Sequence, residues 1–225
     1  MTRNRRSVVA AVAVAILIAG CSVFGTRGDT ETPDYEVVRT LTSGVEIRRY
    51  GERLAAETAV EATPGARNAA FRRLADYIFG GNADERKIAM TAPVATAAAP
   101  PAAGERLPAP VATAAAGGEL VMRFFLPTAI APDEAPAPRD PRVRLVAVPA
   151  ETLAVMRFSG RPSDARVAEK TDELLAALDR AGIEPAGRPE AFFYDPPWTL
   201  PPLRRNEVAV PVAPEADPET DAQAG

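Results

Sequence analysis

Two amphipathic helical stripes, each flanked by segments of strand character, constrain this chain more than any other feature. Thr63-Pro64 offers a capping side chain and a first-turn proline. After it, Phe71, Leu74, Ala75 and Ile78 recur at i, i+3, i+4 and i+7, with Arg67, Arg72, Arg73 and Asp76 off the stripe, and Gly80-Gly81 ends the helix near Phe79. Ser163 caps a second helix whose apolar line runs Val167, Thr171, Leu174, Leu175, Leu178 before Gly182 closes it. Before the first helix, VEIRRYGERLAAETAV has strand character; KIAMTAPV, ELVMRFFLP and VRLVAVPAETLAVMRFSG supply strands between the two. The order is strands, helix, strands, then strand, helix, strands. Such helices need a sheet to cover, so an α+β domain follows.

The domain is expected between residues 34 and 213. Ahead of it, MTRNRR is a basic leader and SVVAAVAVAILIAG an apolar run too short for a comfortable membrane span. Ile18-Ala19-Gly20-Cys21 resembles a bacterial lipobox, and Cys21 is the only cysteine of the 225 residues. Residues 1–20 are therefore expected to be a lipoprotein signal peptide, Cys21 the lipidated residue, and 21–33 a tether. Ser22 is not acidic, which by analogy with Gram-negative lipoproteins favours the outer over the inner membrane, with the domain facing the periplasm. The acidic residues 214–225 have the composition of a disordered tail. APVATAAA occurs at 92–99 and again at 109–116, and residues 95–118, rich in alanine and proline, are expected to form a long loop.

Composition closes several routes. The chain has no histidine, which removes a Ser-His-Asp triad, the commonest zinc ligand and the commonest haem ligand. One cysteine excludes an internal disulfide and a cysteine-cluster metal site. No phosphate-binding glycine loop is present, and a net charge of −4 gives no reason to expect nucleic acid. No catalytic constellation and no metal site stand out, so a binding protein is expected rather than an enzyme.

EIRRY (46–50), AFRRLADYIFGGN (70–82), KIAMTAPV (87–94), RFFLP (123–127), RFSG (157–160) and YDPPWT…RRNEVAV (194–210) together resemble the SOUL/haem-binding protein family. The resemblance implies a distorted β-barrel flanked by two helices, built as two related β-α-β halves and similar to the effector-binding domains of bacterial regulators. It also implies a membrane-anchored protein binding haem or another porphyrin. With no histidine, the ring would lie in an apolar cleft beside the first helix. Phe71, Leu74 and Ile78 are candidates for its face and Arg67 or Arg73 for its propionates. Arg204 and Arg205, after the proline-locked turn around Trp198, are candidates to meet a ligand carboxylate. Tyr35, Tyr50, Tyr77, Tyr194, Met90, Met122 and Met156 are the remaining side chains able to approach iron, each also explicable as a core residue. The alternative is a periplasmic binding or scaffold module for another amphipathic small molecule or a partner protein.

Overall fold

The computed structural model describes residues 30–98 and 118–214. Nine antiparallel strands form one sheet: β1 (Tyr35–Thr40), β2 (Glu46–Tyr50), β3 (Arg53–Glu61), β4 (Val94–Ala98), β5 (Glu119–Phe125), β6 (Val143–Val148), β7 (Glu151–Phe158), β8 (Glu190–Phe193) and β9 (Asn206–Pro211). Helix α1 (Ala66–Ile78) joins β3 to β4, and α2 (Asp164–Arg180) joins β7 to β8. The spatial order is β1-β2-β7-β9-β8-β4-β5-β3-β6. Leaving out β1, this order is unchanged when β2 to β5 are exchanged for β6 to β9 and the sheet is read backwards. Each half is a split β-α-β unit. Each also gives its first strand to the other half: β2 pairs with β7, and β6 with β3. The expected two related halves are present, and the sheet curls into a half-barrel whose edges, β1 and β6, remain apart.

Strand alternation sends side chains to two unlike faces. On one, Ala56, Leu74, Tyr77, Ile78, Met122 and Phe124 form the core under α1. On the same face Ala154, Leu174, Leu178, Val208 and Val210 form the core under α2. Helix α2 starts as expected, with Ser163 Oγ accepting from Arg166 N. Helix α1 does not. Its N-cap is Gly65 at φ 91°, without a side-chain cap, because Thr63 and Pro64 are spent on a turn in which Thr63 O accepts from Ala66 N. Its buried line is Ala66, Ala70, Leu74, Tyr77 and Ile78. Tyr77 can be buried because its hydroxyl donates to Pro136 O at 3.0 Å, and Phe71 is thereby turned to the rim.

Among the described residues no helix covers the opposite face, which is lined with ion pairs. Arg53 of β3 meets Glu151 of β7, strands on opposite sides of the sheet, which only an inward curl brings together. Arg53 also lies over the rings of Tyr50 and Phe125, at 4.7 and 4.9 Å. Glu57 takes Arg123 Nε at 2.8 Å and Arg144 Nη2 at 2.7 Å. At the centre Glu207, 0% exposed, accepts from Arg48 Nη1 at 3.0 Å, Arg205 Nη2 at 2.7 Å and the Tyr194 hydroxyl at 2.7 Å.

Two expected boundaries move. Ala95–Ala98, assigned to the loop by composition, belong to β4, paired on both sides with β5 and β8. Small residues suffice there because the neighbouring strands supply the bulk. Residues 99–117, with the second APVATAAA copy, lie outside the described residues, as do 1–29 and 215–225. Glu31, assigned to the tether, is docked: its carbonyl accepts from Ala92 N at 2.8 Å, and its carboxylate takes both Thr128 N and Thr128 Oγ1.

Two expectations follow. Burial pushes the Glu207 carboxyl up, but the charge of Arg48, the hydrogen bonds from Arg48 and Tyr194, and the charge of Arg205 outweigh it and hold the group below its ordinary value. Its contribution is therefore present above the unfolded-state pKa and disappears as pH falls through the lowered native value. Glu207→Gln, which leaves Arg205 without its carboxylate and Arg48 with Glu46 alone, should cost about 3–5 kcal/mol at neutral pH in urea unfolding and flatten the acid limb of stability. Deletion of residues 100–116 should leave the β4–β5 hairpin intact, since Ala98 already pairs with Leu120. Loop closure changes by roughly 0.6 kcal/mol per doubling of length, so the thermal midpoint should move little.

Candidate ligand-binding site

The two helices divide the sheet between them. Helix α1 packs on β3, β5 and β6, and α2 on β7 and β9, so the central strands β4 and β8 are left without a helix above them. The result is a groove between the helices of about 550 Å³, within the range of small-molecule sites. Thr96 and Ala98 of β4 and Ala191 of β8 form its floor, and β5 adds Leu120. Ala66, Arg67 and Asn68 make one wall; Asp164, Val167 and Thr171 make the other. The floor is open because its side chains are short: alanine and threonine where a leucine would fill the space.

Two arginines, Arg67 and Arg188, line this groove, and Arg67 spans one end of it. Arg67 lies 5.2 Å from the centre of the Phe193 ring, donates to Pro162 O at 3.0 Å and pairs with Asp164 at 2.6 Å. It therefore ties the start of α1 to the start of α2. The first turn of α1 has no acidic residue and no side-chain cap, so the positive end of its dipole stands beside Arg67 at this rim. Glu190 alternates with Ala191 on β8, and its carboxylate lies 3.1 Å from Arg123 Nη1, in the ion-pair cluster with Glu57 on the inner face. Burial pushes the Glu190 carboxyl up, with Glu151 adding to the rise and Arg123 opposing it.

Of the residues proposed from sequence, Arg67 lines the groove and the others do not. Leu74 and Ile78 are fully buried beneath α1 and present no surface to a ligand. Phe71, 40% exposed, packs edge-on against Phe124 at 5.3 Å and stands outside the lining. Arg73 is held by Thr58 Oγ1 at 2.7 Å and Ala59 O at 3.2 Å, and faces Asp140. Arg204 is spent on the carbonyls of Thr199 and Pro197. Arg205 is spent on Glu207 and stacks on Tyr194 at 3.9 Å. The two latter arginines belong to the inner face and the turn beyond it. The sequence reading placed the ring in an apolar cleft beside the first helix, with Phe71, Leu74 and Ile78 against its face. It missed Thr96, Ala98 and Ala191, whose only sequence signal is a run of small side chains at alternate strand positions.

The groove lining contains no tyrosine or methionine. Tyr50, Tyr77, Tyr194 and Met122 are buried in the core, and Tyr35, Met90 and Met156 lie elsewhere. Among the described residues no group of three or more cysteines, aspartates or glutamates could hold a metal ion. The short floor and the Arg67 guanidinium leave room for a flat molecule with an anionic edge.

A family model described as SOUL heme-binding protein matches residues 30–211. No curated protein matches the chain. Among solved structures, the C-terminal domain of EcmrR is similar at a TM-score of 0.54 and 12% identity, over 80% of this chain and 98% of that one. EcmrR within a DNA complex gives 0.54 at 11% identity, over 75% of this chain and 56% of that one. An uncharacterized conserved protein from Listeria innocua gives 0.52 at 10% identity, over 83% and 94%. These likenesses concern the fold. The curled sheet, the paired split units and the sequence match over residues 30–211 together show that the chain belongs to the SOUL heme-binding protein family, a binding family whose name points to haem and related tetrapyrroles.

Proposed function

We propose that the protein is a membrane-anchored binding protein for haem or a related tetrapyrrole, held in the groove between α1 and α2 without histidine ligation. The observation that carries this reading is the groove itself: floored by short side chains, with Arg67 at its rim and, among the described residues, no tyrosine, methionine or cysteine in its lining. The ring would lie over Thr96, Ala98 and Ala191 between Ala66 and Val167. A propionate would take the Arg67 guanidinium from Asp164, a well-exposed partner whose pair is worth little in water, so the exchange costs little. The N-terminal helical dipole adds a favourable field for the same anion. Haem here is cargo rather than a resident cofactor, and no reaction is assigned to the site.

The same lining leaves a second reading, because nothing in it demands a metal. Another amphipathic small molecule with an anionic end, or a partner protein, would meet the same surface. Localisation rests on the N-terminus: a signal peptide over 1–20 and lipid on Cys21 would place the domain in the cell envelope, at the outer membrane facing the periplasm.

Binding is measured by Soret absorbance and porphyrin fluorescence. Iron-free protoporphyrin should bind within a few-fold of haem, since the iron contributes no bond. Arg67→Ala should weaken both about tenfold, the loss of roughly one charge-assisted hydrogen bond. Ala98→Trp, which fills the floor, should abolish both. Haem binding without protoporphyrin binding would refute the ligand-free iron, and saturable binding of neither would favour the second reading. For the anchor, intact-mass analysis of natively expressed, membrane-extracted protein should show Cys21 as the acylated N-terminal residue. Cys21→Ser should release or misprocess it, and an unmodified full-length chain in the cytoplasm would end the claim.

A further inference from the structure

The ten residues between Tyr194 and Arg205 make a rigid turn that displays apolar side chains to water. Trp198 is 70% exposed, Leu200 48% and Leu203 54%. These are three of the largest exposed apolar surfaces among the described residues, and they fall within six positions of one another. The turn is not loose. Thr199 N donates to Pro196 O, Leu203 N to Leu200 O and Gly160 N to Pro201 O, at 2.9–3.1 Å. The Arg204 side chain holds the carbonyls of Thr199 and Pro197 from within. Four prolines at 196, 197, 201 and 202 fix the backbone further. Trp198 therefore does not plug the barrel end, as a buried tryptophan would. It is held away from the fold.

Two further observations say what this turn meets. The first is where the chain comes in. Thr32, Pro33 and Tyr35 surround the same small cavity as Tyr194 and Arg205, the two residues from which the turn hangs. The N-terminal segment thus arrives at the end of the half-barrel that carries Trp198. From Cys21 to Thr30 the chain can extend at most roughly 30 Å. The second is charge. Arg161 is exposed on the neighbouring β7–α2 connection, which the Gly160–Pro201 hydrogen bond holds against the turn, and Arg157 is exposed near the end of β7, opposite Glu207 in register. The acid nearest in sequence, Asp164, is paired with Arg67. A tryptophan and two leucines flanked by arginines match the interface of a bilayer, where indole rings settle at headgroup depth and arginines meet phosphates.

We propose that the Trp198–Leu203 turn is a membrane-docking element that seats this end of the domain on an anionic phospholipid surface. This inference rests in part on the anchoring in the proposed function, while its test needs neither the lipid on Cys21 nor any porphyrin.

The test uses residues 22–225, which hold every described strand and helix and lack both the apolar leader and Cys21. Trp198 is the only tryptophan, so its emission reports on the turn alone. With vesicles of phosphatidylcholine containing phosphatidylglycerol, the emission should shift to the blue and become protected from acrylamide. Leu200→Ser with Leu203→Ser should lower the partition coefficient at least about tenfold, the worth of removing buried leucine surface. Arg161→Glu should lower it on phosphatidylglycerol vesicles and leave binding to pure phosphatidylcholine unchanged. Both variants alter exposed positions, and circular dichroism checks that they fold. No spectral change with any vesicle would overturn the proposal. So would a blue shift that grows with protein concentration alone, which would make the turn a contact between copies. Vesicle binding that leaves Trp198 emission unchanged would assign the contact to another surface and overturn it equally.

Discussion

Glu207 is the carboxylate around which the inner face is organised. It sits on β9, has no exposed surface, and accepts hydrogen bonds from β2 through Arg48, from the end of β8 through Tyr194, and from its own strand through Arg205. Burying one charge costs several kcal/mol, which this site offsets only because the remaining lone pairs are also satisfied. The same arrangement makes the curl specific. A flatter sheet would draw Arg53 away from Glu151 and strand both charges against the apolar patch of Ala55, Phe125 and Phe192. The inner face is thus closed by paired charges and small apolar contacts, and has little space left for a large ligand.

That division leaves the open groove on the other face. The half-barrel is built by two units that exchange their first strands, so the twofold relation runs between β4 and β8. Each helix covers the outer strands of its own unit, and the seam between the units stays uncovered. The groove is a consequence of this pairing, not of any motif that codes for it. Its chemistry comes from what lines the seam: short side chains on the floor, and Arg67 bridging the two helix starts. The prolines and arginines near the C-terminus serve a different region. Arg205 completes the Glu207 cluster, and Arg204 stiffens the turn that lifts Trp198 into solvent.

Much of this fold is legible in the chain itself. The helix stripes, the Ser163 cap, the strand segments and their two-fold order all follow from local periodicity, because amphipathic patterns reflect the face each element buries. The absence of histidine is a fact of composition and restricts any iron chemistry before a structure is considered. The order of motifs from EIRRY to RRNEVAV carries the family. Other features needed the third dimension. Phe71 fits a helical stripe as well as Tyr77 does, and only the carbonyl of Pro136, 59 residues away, decides that the tyrosine is the one buried. Ala95–Ala98 have a loop's composition and become a central strand because β5 and β8 pair with them on both sides. Arg73, Arg204 and Arg205 are all basic and all near apolar segments. Their partners lie on other elements, so sequence could not separate them from Arg67. What the sequence alone determined was which segments become helix or strand and which chemistries are excluded, since both depend on local pattern and residue inventory. Which side chains meet, where the groove opens and which arginines face it were decided by the tertiary structure, because each depends on strand pairing between distant parts of the chain.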